Sequence, residues 1–155
     1  MKSKAVFIDR DGVINEDYGY VFKLSRFRFR HFSKKGLLIF QNLGFKIIII
    51  TNQSGIARGL FSQTEYLELT ETYIKKLKKL RIYIDGVYHC PHHPDFDSDG
   101  YICKCRKPQP GMIFKAKKDF NLDLKNSFII GDKFTDMEAG FNAGIPNRYF
   151  IGKYK

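Results

Sequence analysis

The sequence is short of acid, of cysteine and of long apolar runs, and each shortage excludes something. The longest purely aliphatic run, Ile47 to Ile50, falls far below the ~20 residues that a membrane-spanning helix needs. No secretory leader is expected, because Asp9 and Arg10 interrupt the first apolar run. A cytoplasmic location follows as the default, with no membrane partner. Three cysteines make an odd count, which argues against a closed disulfide framework. All three fall within residues 90–105, and in a reducing compartment such clustering points to metal binding or packing. Internal repeats, low-complexity tracts and interdomain linkers are also lacking, and 155 residues suit one domain over 1–155.

Acid is scarce beside base: 16 Asp and Glu against 27 Lys and Arg give a net charge of +11. Such a balance admits a nucleic-acid partner or a small, multiply anionic substrate. The cations spread over residues 23–35, 75–81 and 115–118, and on the predicted helix of the middle group they read as a solvated face.

What is present is a set of short buried strands that end in polar clusters. Ala5 to Ile8 reads as a strand covered on both faces, as in a parallel sheet. Asp9-Arg10-Asp11-Gly12 follows, where open α/β sheets bind ligands. Two carboxylates at i and i+2 of an extended stretch converge, and they repel unless a cation or a shared proton intervenes. That favours Mg²⁺, with one Asp as nucleophile and the other as general acid/base. The next stretch, residues 16–32, is a candidate substrate loop in which Asp17, Tyr20 and arginines 26, 28 and 30 could meet an anion. The alternation Arg26-Phe27-Arg28-Phe29-Arg30 also fits a short amphipathic strand or a single-stranded nucleic-acid surface.

Ser33 to Leu43 reads as a helix closed by Gly44, and Phe45 to Thr51 as the second strand. Polar residues Thr51, Asn52, Gln53 and Ser54 at its end suit phosphate oxygens. Ser62-Gln63-Thr64-Glu65 is a capping box that opens a helix with Tyr66, Leu69, Tyr73, Leu77 and Leu80 on its inner face. A third strand, Gly86 to His89, leads into Cys90-Pro91-His92-His93-Pro94, a loop of Asp, Ser and Gly, and Cys103-Lys104-Cys105. Cys90, His92, Cys103 and Cys105 form a set suited to structural zinc, with His89 and His93 as competing ligands. Arg106 and Lys107 follow as fixed cations before a helix that starts near Pro110 and buries Ile113, Ala116 and Phe120. Ser127 to Ile130 reads as the fourth strand, ending in Gly131-Asp132-Lys133, with a capping box at Thr135 and Glu138 and with Asp136 placed to orient a neighbouring lysine. Asn147 to Ile151 reads as the last strand.

Taken in order, Asp9-Arg10-Asp11-Gly12, Thr51, Lys107 and Gly131-Asp132 with Asp136 resemble the four motifs of the haloacid dehalogenase (HAD) superfamily. The D-R-D-G-x-I-N opening, T-N-Q-S-G-I-A-R-G, the C-P-H-H-P…C-x-C-R-K-P-x-P-G-M block and G-D-K-x-x-D-M are similar to the histidinol-phosphatase-like branch. That branch includes the D-glycero-D-manno-heptose-1,7-bisphosphate 7-phosphatases.

The resemblance implies an α/β, Rossmannoid three-layer fold with a mostly parallel sheet, a minimal cap and a zinc-binding loop. It implies Asp9 as nucleophile, Asp11 as general acid/base, and Thr51 and Lys107 holding the phosphoryl oxygens. Mg²⁺ would be held by Asp9, Asp132 and the backbone carbonyl of Asp11, and structural Zn²⁺ by Cys90, His92, Cys103 and Cys105. Asp17, Tyr20, Asn52, Gln53, Ser54, Arg106 and Lys133 are expected at the substrate. A Mg²⁺-dependent sugar-bisphosphate phosphatase acting as a monomer, with no nucleic-acid partner, is the leading expectation. Histidinol-phosphate hydrolysis, a nucleic-acid 3′-phosphatase and a zinc-stabilised binding module are the alternatives.

Overall fold

Runs of apolar residues with no polar partner face must be covered on both sides, and the chain does this with helices. In the computed structural model, which describes residues 1–98 and 102–153, five strands form one sheet. They are β1 (Ala5–Ile8), β2 (Lys46–Asn52), β3 (Gly86–Cys90), β4 (Phe128–Gly131) and β5 (Asn147–Phe150). Their spatial order is β3-β2-β1-β4-β5, and every neighbouring pair is parallel. The helices are α1 (Ser33–Asn42), α2 (Gln63–Lys79), α3 (Gly111–Phe120) and α4 (Phe134–Asn142).

Alternation along the strands divides the interior into two cores. Val6, Ile8, Ile47 and Ile49 pack with Leu37 of α1 and with Leu69, Tyr73 and Leu77 of α2. Ala5, Phe7, Ile48 and Ile50 face the other way, onto Met112, Ile113 and Ala116 of α3 and Ala139 of α4. The result is the expected three-layer α/β fold. The chain winds outward through β2 and β3 and then returns to the other side of β1 through β4. Such a reversal opens a crevice at the carboxyl ends of the strands.

Several boundaries and contacts differ from the sequence reading. Leu80 does not pack: it caps the end of α2 and is 52% exposed. Phe120 is only partly buried at the edge of its core. The Arg/Phe alternation forms no strand, since a 3-10 turn at Leu24–Arg26 takes its first residue and Phe29 makes a single bridge to Asn15. Its phenylalanines still point inward: Phe27 stacks on Tyr73 with ring centroids 5.1 Å apart. Helix α4 is capped by Lys133 and Asp136 rather than by Thr135 and Glu138, because the Asp136 carboxylate accepts the Lys133 N–H at 3.1 Å. The Ser62/Glu65 capping box forms as expected. The lysines of α2 are exposed, and Lys75 pairs with Glu71 one turn away at 2.8 Å. Residues 99–101 of the cysteine-flanked loop lie outside the described residues.

Core and surface positions should respond differently to truncation. Ile49→Ala is expected to lower the unfolding free energy by about 2–5 kcal/mol, whereas Leu80→Ala should stay within about 0.5 kcal/mol of the parent. Urea unfolding of the two variants measures both.

Candidate active site and metal centres

The ends of β1, β2 and β4 and the segment after β3 deliver polar groups to one cleft of about 370 Å³. Its walls include Asp9, Asp11, Asp17, Tyr20, Asn52, Gln53, Ser54, Arg106, Lys107 and Lys133. All seven expected substrate contacts are therefore gathered there. Gly19, Gly55, Thr135 and Asp136 complete the lining. Arginines 26, 28 and 30 do not reach it. They bond to carbonyls of Tyr18, Phe27 and Gly12 instead, which closes the loop on itself.

At the floor, the Lys107 ammonium lies 3.1 Å from Asp9 and 2.6 Å from Asp136, and it donates to the Ile50 carbonyl at 2.9 Å. All three ionic groups are buried. Burial alone would favour the neutral amine, but the Asp9 and Asp136 charges outweigh it and raise the Lys107 pKa. Burial pushes the Asp9 carboxyl up to about 7, against the pull of Lys107 and with added repulsion from Asp136 and Asp11. Asp132 is likewise raised, first by burial and then by Asp136 and Asp17, with Lys133 opposing.

Oxygens of Asp9, Asp132 and Asp136 lie within 4.8 Å of one another, a group able to hold a metal ion. Asp132 Oδ1 is buried without a protein donor, as a ligand oxygen would be. Mutual repulsion of three carboxylates and hard oxygen donors both fit a divalent cation such as Mg²⁺. The Asp11 side chain is not in this group. Its carboxylate accepts from Arg10, Asn15 and Gln53 instead. The neighbouring Lys133 gives Asp136 only its backbone N–H, at 3.1 Å; the ammonium that Asp136 holds is that of the distant Lys107, at 2.6 Å.

Thr51 is fully buried and does not line the cleft; its hydroxyl accepts from Gln53 at 2.8 Å. Gln53 therefore stands between Thr51 and the cleft. Asp17 and Lys133 face each other across it at 3.6 Å. Sequence reasoning missed Arg10 and Asn15 as partners of Asp11, because adjacency to a motif does not tell where a long side chain folds.

The second cluster sits at the end of β3. Cys90, His92, Cys103 and Cys105 present four donor atoms within 4.8 Å of one another. Cys90 Sγ lies 2.9 Å from Cys105 Sγ and 3.5 Å from Cys103 Sγ, and His92 Nδ1 lies 3.3 Å from Cys105 Sγ. The competing histidines are engaged elsewhere: His89 with Gln63 at 2.8 Å and His93 with Arg58 at 3.0 Å. Three thiols and one imidazole are a soft donor set that fits tetrahedral zinc. Arg106 joins the two sites, since it lines the cleft and donates to the His92 carbonyl at 3.3 Å.

The comparisons with known proteins agree with this geometry. Residues 104–147 match the HAD-hydrolase-like family model. The D-glycero-beta-D-manno-heptose-1,7-bisphosphate 7-phosphatase of Photorhabdus laumondii is 42% identical over 95% of this chain and 79% of its own length. The chain belongs to the heptose-1,7-bisphosphate 7-phosphatase family of the HAD superfamily. Another family member from that organism, named for the alpha anomer, is 44% identical over 97% of this chain and 83% of its own length. The family resemblance extends to structure. The D,D-heptose 1,7-bisphosphate phosphatase of B. bronchiseptica, solved with magnesium and phosphate, superimposes with a TM-score of 0.78 at 31% identity. That match covers 88% of this chain and 74% of the other.

Gly12 makes the carboxylate cluster possible. It has φ +83°, and a Cβ there would lie 2.0 Å from Asp132 Oδ2. Gly12→Ala should therefore lower the unfolding free energy by about 1 kcal/mol or more, from the left-handed backbone alone. Urea unfolding tests it, and parental stability would show that position 12 does not need a left-handed backbone.

Proposed function

We propose that this chain removes the 7-phosphate of D-glycero-D-manno-heptose 1,7-bisphosphate, in the cytoplasm and as a monomer. The observation that carries the chemistry is the cleft in which Lys107 bridges Asp9 and Asp136, with Asp11 in its wall and the Asp132 carboxylate clustered with those of Asp9 and Asp136. Family membership carries the substrate. A binding module has no need for a buried lysine clamped between two carboxylates, an arrangement that fits charge stabilisation during phosphoryl transfer.

Asp9 attacks phosphorus in line, and the bond to the sugar oxygen breaks as the aspartyl-phosphate forms. Asp11 gives its proton to the departing oxygen and later takes one from the attacking water. Lys107 holds phosphoryl oxygens and keeps the Asp9 carboxylate aimed. Asn52 and Ser54 contribute donors from the end of β2, and Gln53, whose amide donates to Thr51 and Asp11, lines the substrate's path beside them. Arg106, Lys133, Asp17 and Tyr20 contact the sugar and its second phosphate. Asp9, Asp132 and the Asp11 carbonyl, with Asp136 nearby, would hold Mg²⁺, which supplies neutralisation of the phosphoryl charge. Zn²⁺ at Cys90, His92, Cys103 and Cys105 would organise the loop and take no part in the chemistry.

Phosphate release with Mg²⁺ from the heptose bisphosphate, from histidinol phosphate and from a 3′-phosphorylated oligonucleotide tests the reading. Selective release of the 7-phosphate is expected, and preference for either other substrate overturns the assignment. Asp9→Asn should lower turnover by about a thousandfold or more with an unchanged far-UV circular dichroism spectrum; retained activity would remove Asp9 as nucleophile. Elemental analysis should find about one zinc per chain, and Cys105→Ser should lose most of it. Zinc content equal to the parent in that variant would refute the ligand set.

A further inference from the structure

Arg10 stands between the two aspartates of the cleft, yet its side chain is wholly buried. Its guanidinium turns back onto the next residue. Nη2 lies 2.7 Å from Asp11 Oδ1 and 3.0 Å from Oδ2, Nε lies 3.2 Å from Oδ1, and Nη2 also donates to the Val21 carbonyl at 2.5 Å. The Tyr66 ring of α2 backs it, with its centroid 5.9 Å from the guanidinium carbon. Two further donors close the grip: Asn15 Nδ2 on Oδ1 at 2.9 Å and Gln53 Nε2 on Oδ2 at 3.0 Å.

A carboxylate offers about four lone-pair sites. Oδ1 takes contacts from Arg10 Nε, Arg10 Nη2 and Asn15, so it is fully engaged. Oδ2 takes the longer arm of Nη2 and the Gln53 amide, so one of these two donors gives way when Oδ2 carries a proton. Asp11 and Gln53 both line the cleft, and Oδ2 is the oxygen held by the cleft-lining Gln53, whereas Oδ1 is held by Arg10 and Asn15. Burying a guanidinium is unfavourable unless it is paired, and even a paired one adds little net stability over apolar packing. A wholly buried arginine directed at one carboxylate therefore points to placement of that carboxylate.

We propose that Arg10 is a positioning residue that holds Asp11 with Oδ2 toward the bridging oxygen of the phosphomonoester, and so sets the enzyme's power over poor leaving groups. The proposal rests on the role of Asp11 given above. In that step the bond from phosphorus to the bridging oxygen breaks as the Asp9–phosphorus bond forms, and the proton on Asp11 moves to the departing alkoxide. A p-nitrophenolate departs without that proton, so its release does not need an aimed Asp11.

The test is kcat/KM, which reports the steps up to leaving-group departure. It is measured on the heptose bisphosphate and on p-nitrophenyl phosphate for the parent, Arg10→Lys, Arg10→Gln and Gln53→Met. Arg10→Gln should lose about tenfold or more on the sugar phosphate and less than about threefold on the aryl ester, because general acid help is worth about 10² or more only where the leaving group needs it. Arg10→Lys should fall between, and Gln53→Met should shift the ratio in the same direction. If Arg10→Gln does not fold, the other two variants carry the comparison. Equal losses on both substrates, or none on either, would overturn the role of Arg10, since a purely structural defect leaves the ratio unmoved. A parent inactive on both esters would instead overturn the phosphatase reading itself.

Discussion

One ammonium ties this structure together. Lys107 comes from the segment after β3, yet its charge sits among groups from β1, β2 and α4: Asp9, the Ile50 carbonyl and Asp136. Without it, two buried carboxylates would face each other across the floor of the cleft, and one would have to take up a proton or the cleft would have to open. Its own placement is fixed by Asn52, whose amide accepts the Lys107 N–H at 3.0 Å and donates to the Lys107 carbonyl at 3.1 Å. Strand β2 thus positions the lysine backbone, while β1 and α4 capture its tip.

That bridge explains why the carboxylates at the strand ends do not act alike. Asp9 and Asp136 share Lys107, Asp11 is held by Arg10, Asn15 and Gln53, and Asp132 retains a buried oxygen with no protein donor. Charge alone would leave them equivalent. The partners that each receives give them distinct environments, which is what the proposed division into nucleophile, proton carrier and metal ligand requires. Gly131 permits the close approach of Asp136, because a Cβ at 131 would lie 2.2 Å from the Asp136 Cβ.

The strands and their order of polar ends were legible because buried parallel strands leave no polar positions along their length, so a sudden Asp or Thr marks the end. The cleft lining was legible partly for the same reason, for Asn52, Gln53 and Ser54, and partly from the resemblance, for Asp17, Tyr20, Arg106 and Lys133; all seven reach it. Side-chain direction beyond a strand end was not legible. The i, i+2 rule holds only while the chain stays extended, and β1 stops at Ile8. The backbone then turns, with the N–H groups of Val13, Ile14 and Asn15 all donating to the Arg10 carbonyl. Asp11 is therefore aimed by its partners and not by pleat. Thr51 remains in β2, and its pleat position keeps it inside behind Gln53. The arginines of residues 26–30 looked like anion contacts because charge pattern carries no information about which backbone carbonyls a folded loop leaves unpaired.

The cysteine cluster and the cleft depend on each other through chain continuity. β3 is an edge strand, and Cys90 is its last residue, in register with Asn52 of β2. Cys105 is two residues before Lys107. The intervening loop is polar, and among its described residues little is buried beyond Cys103. A loop of that composition gains little from hydrophobic burial, so cross-linking by its four donors is what can fix its path. Fixing that path sets where Arg106 meets the His92 carbonyl and where Lys107 enters between Asp9 and Asp136. The soft donors therefore influence the phosphoryl site mechanically, through two residues of backbone, and without any group of theirs reaching the cleft floor.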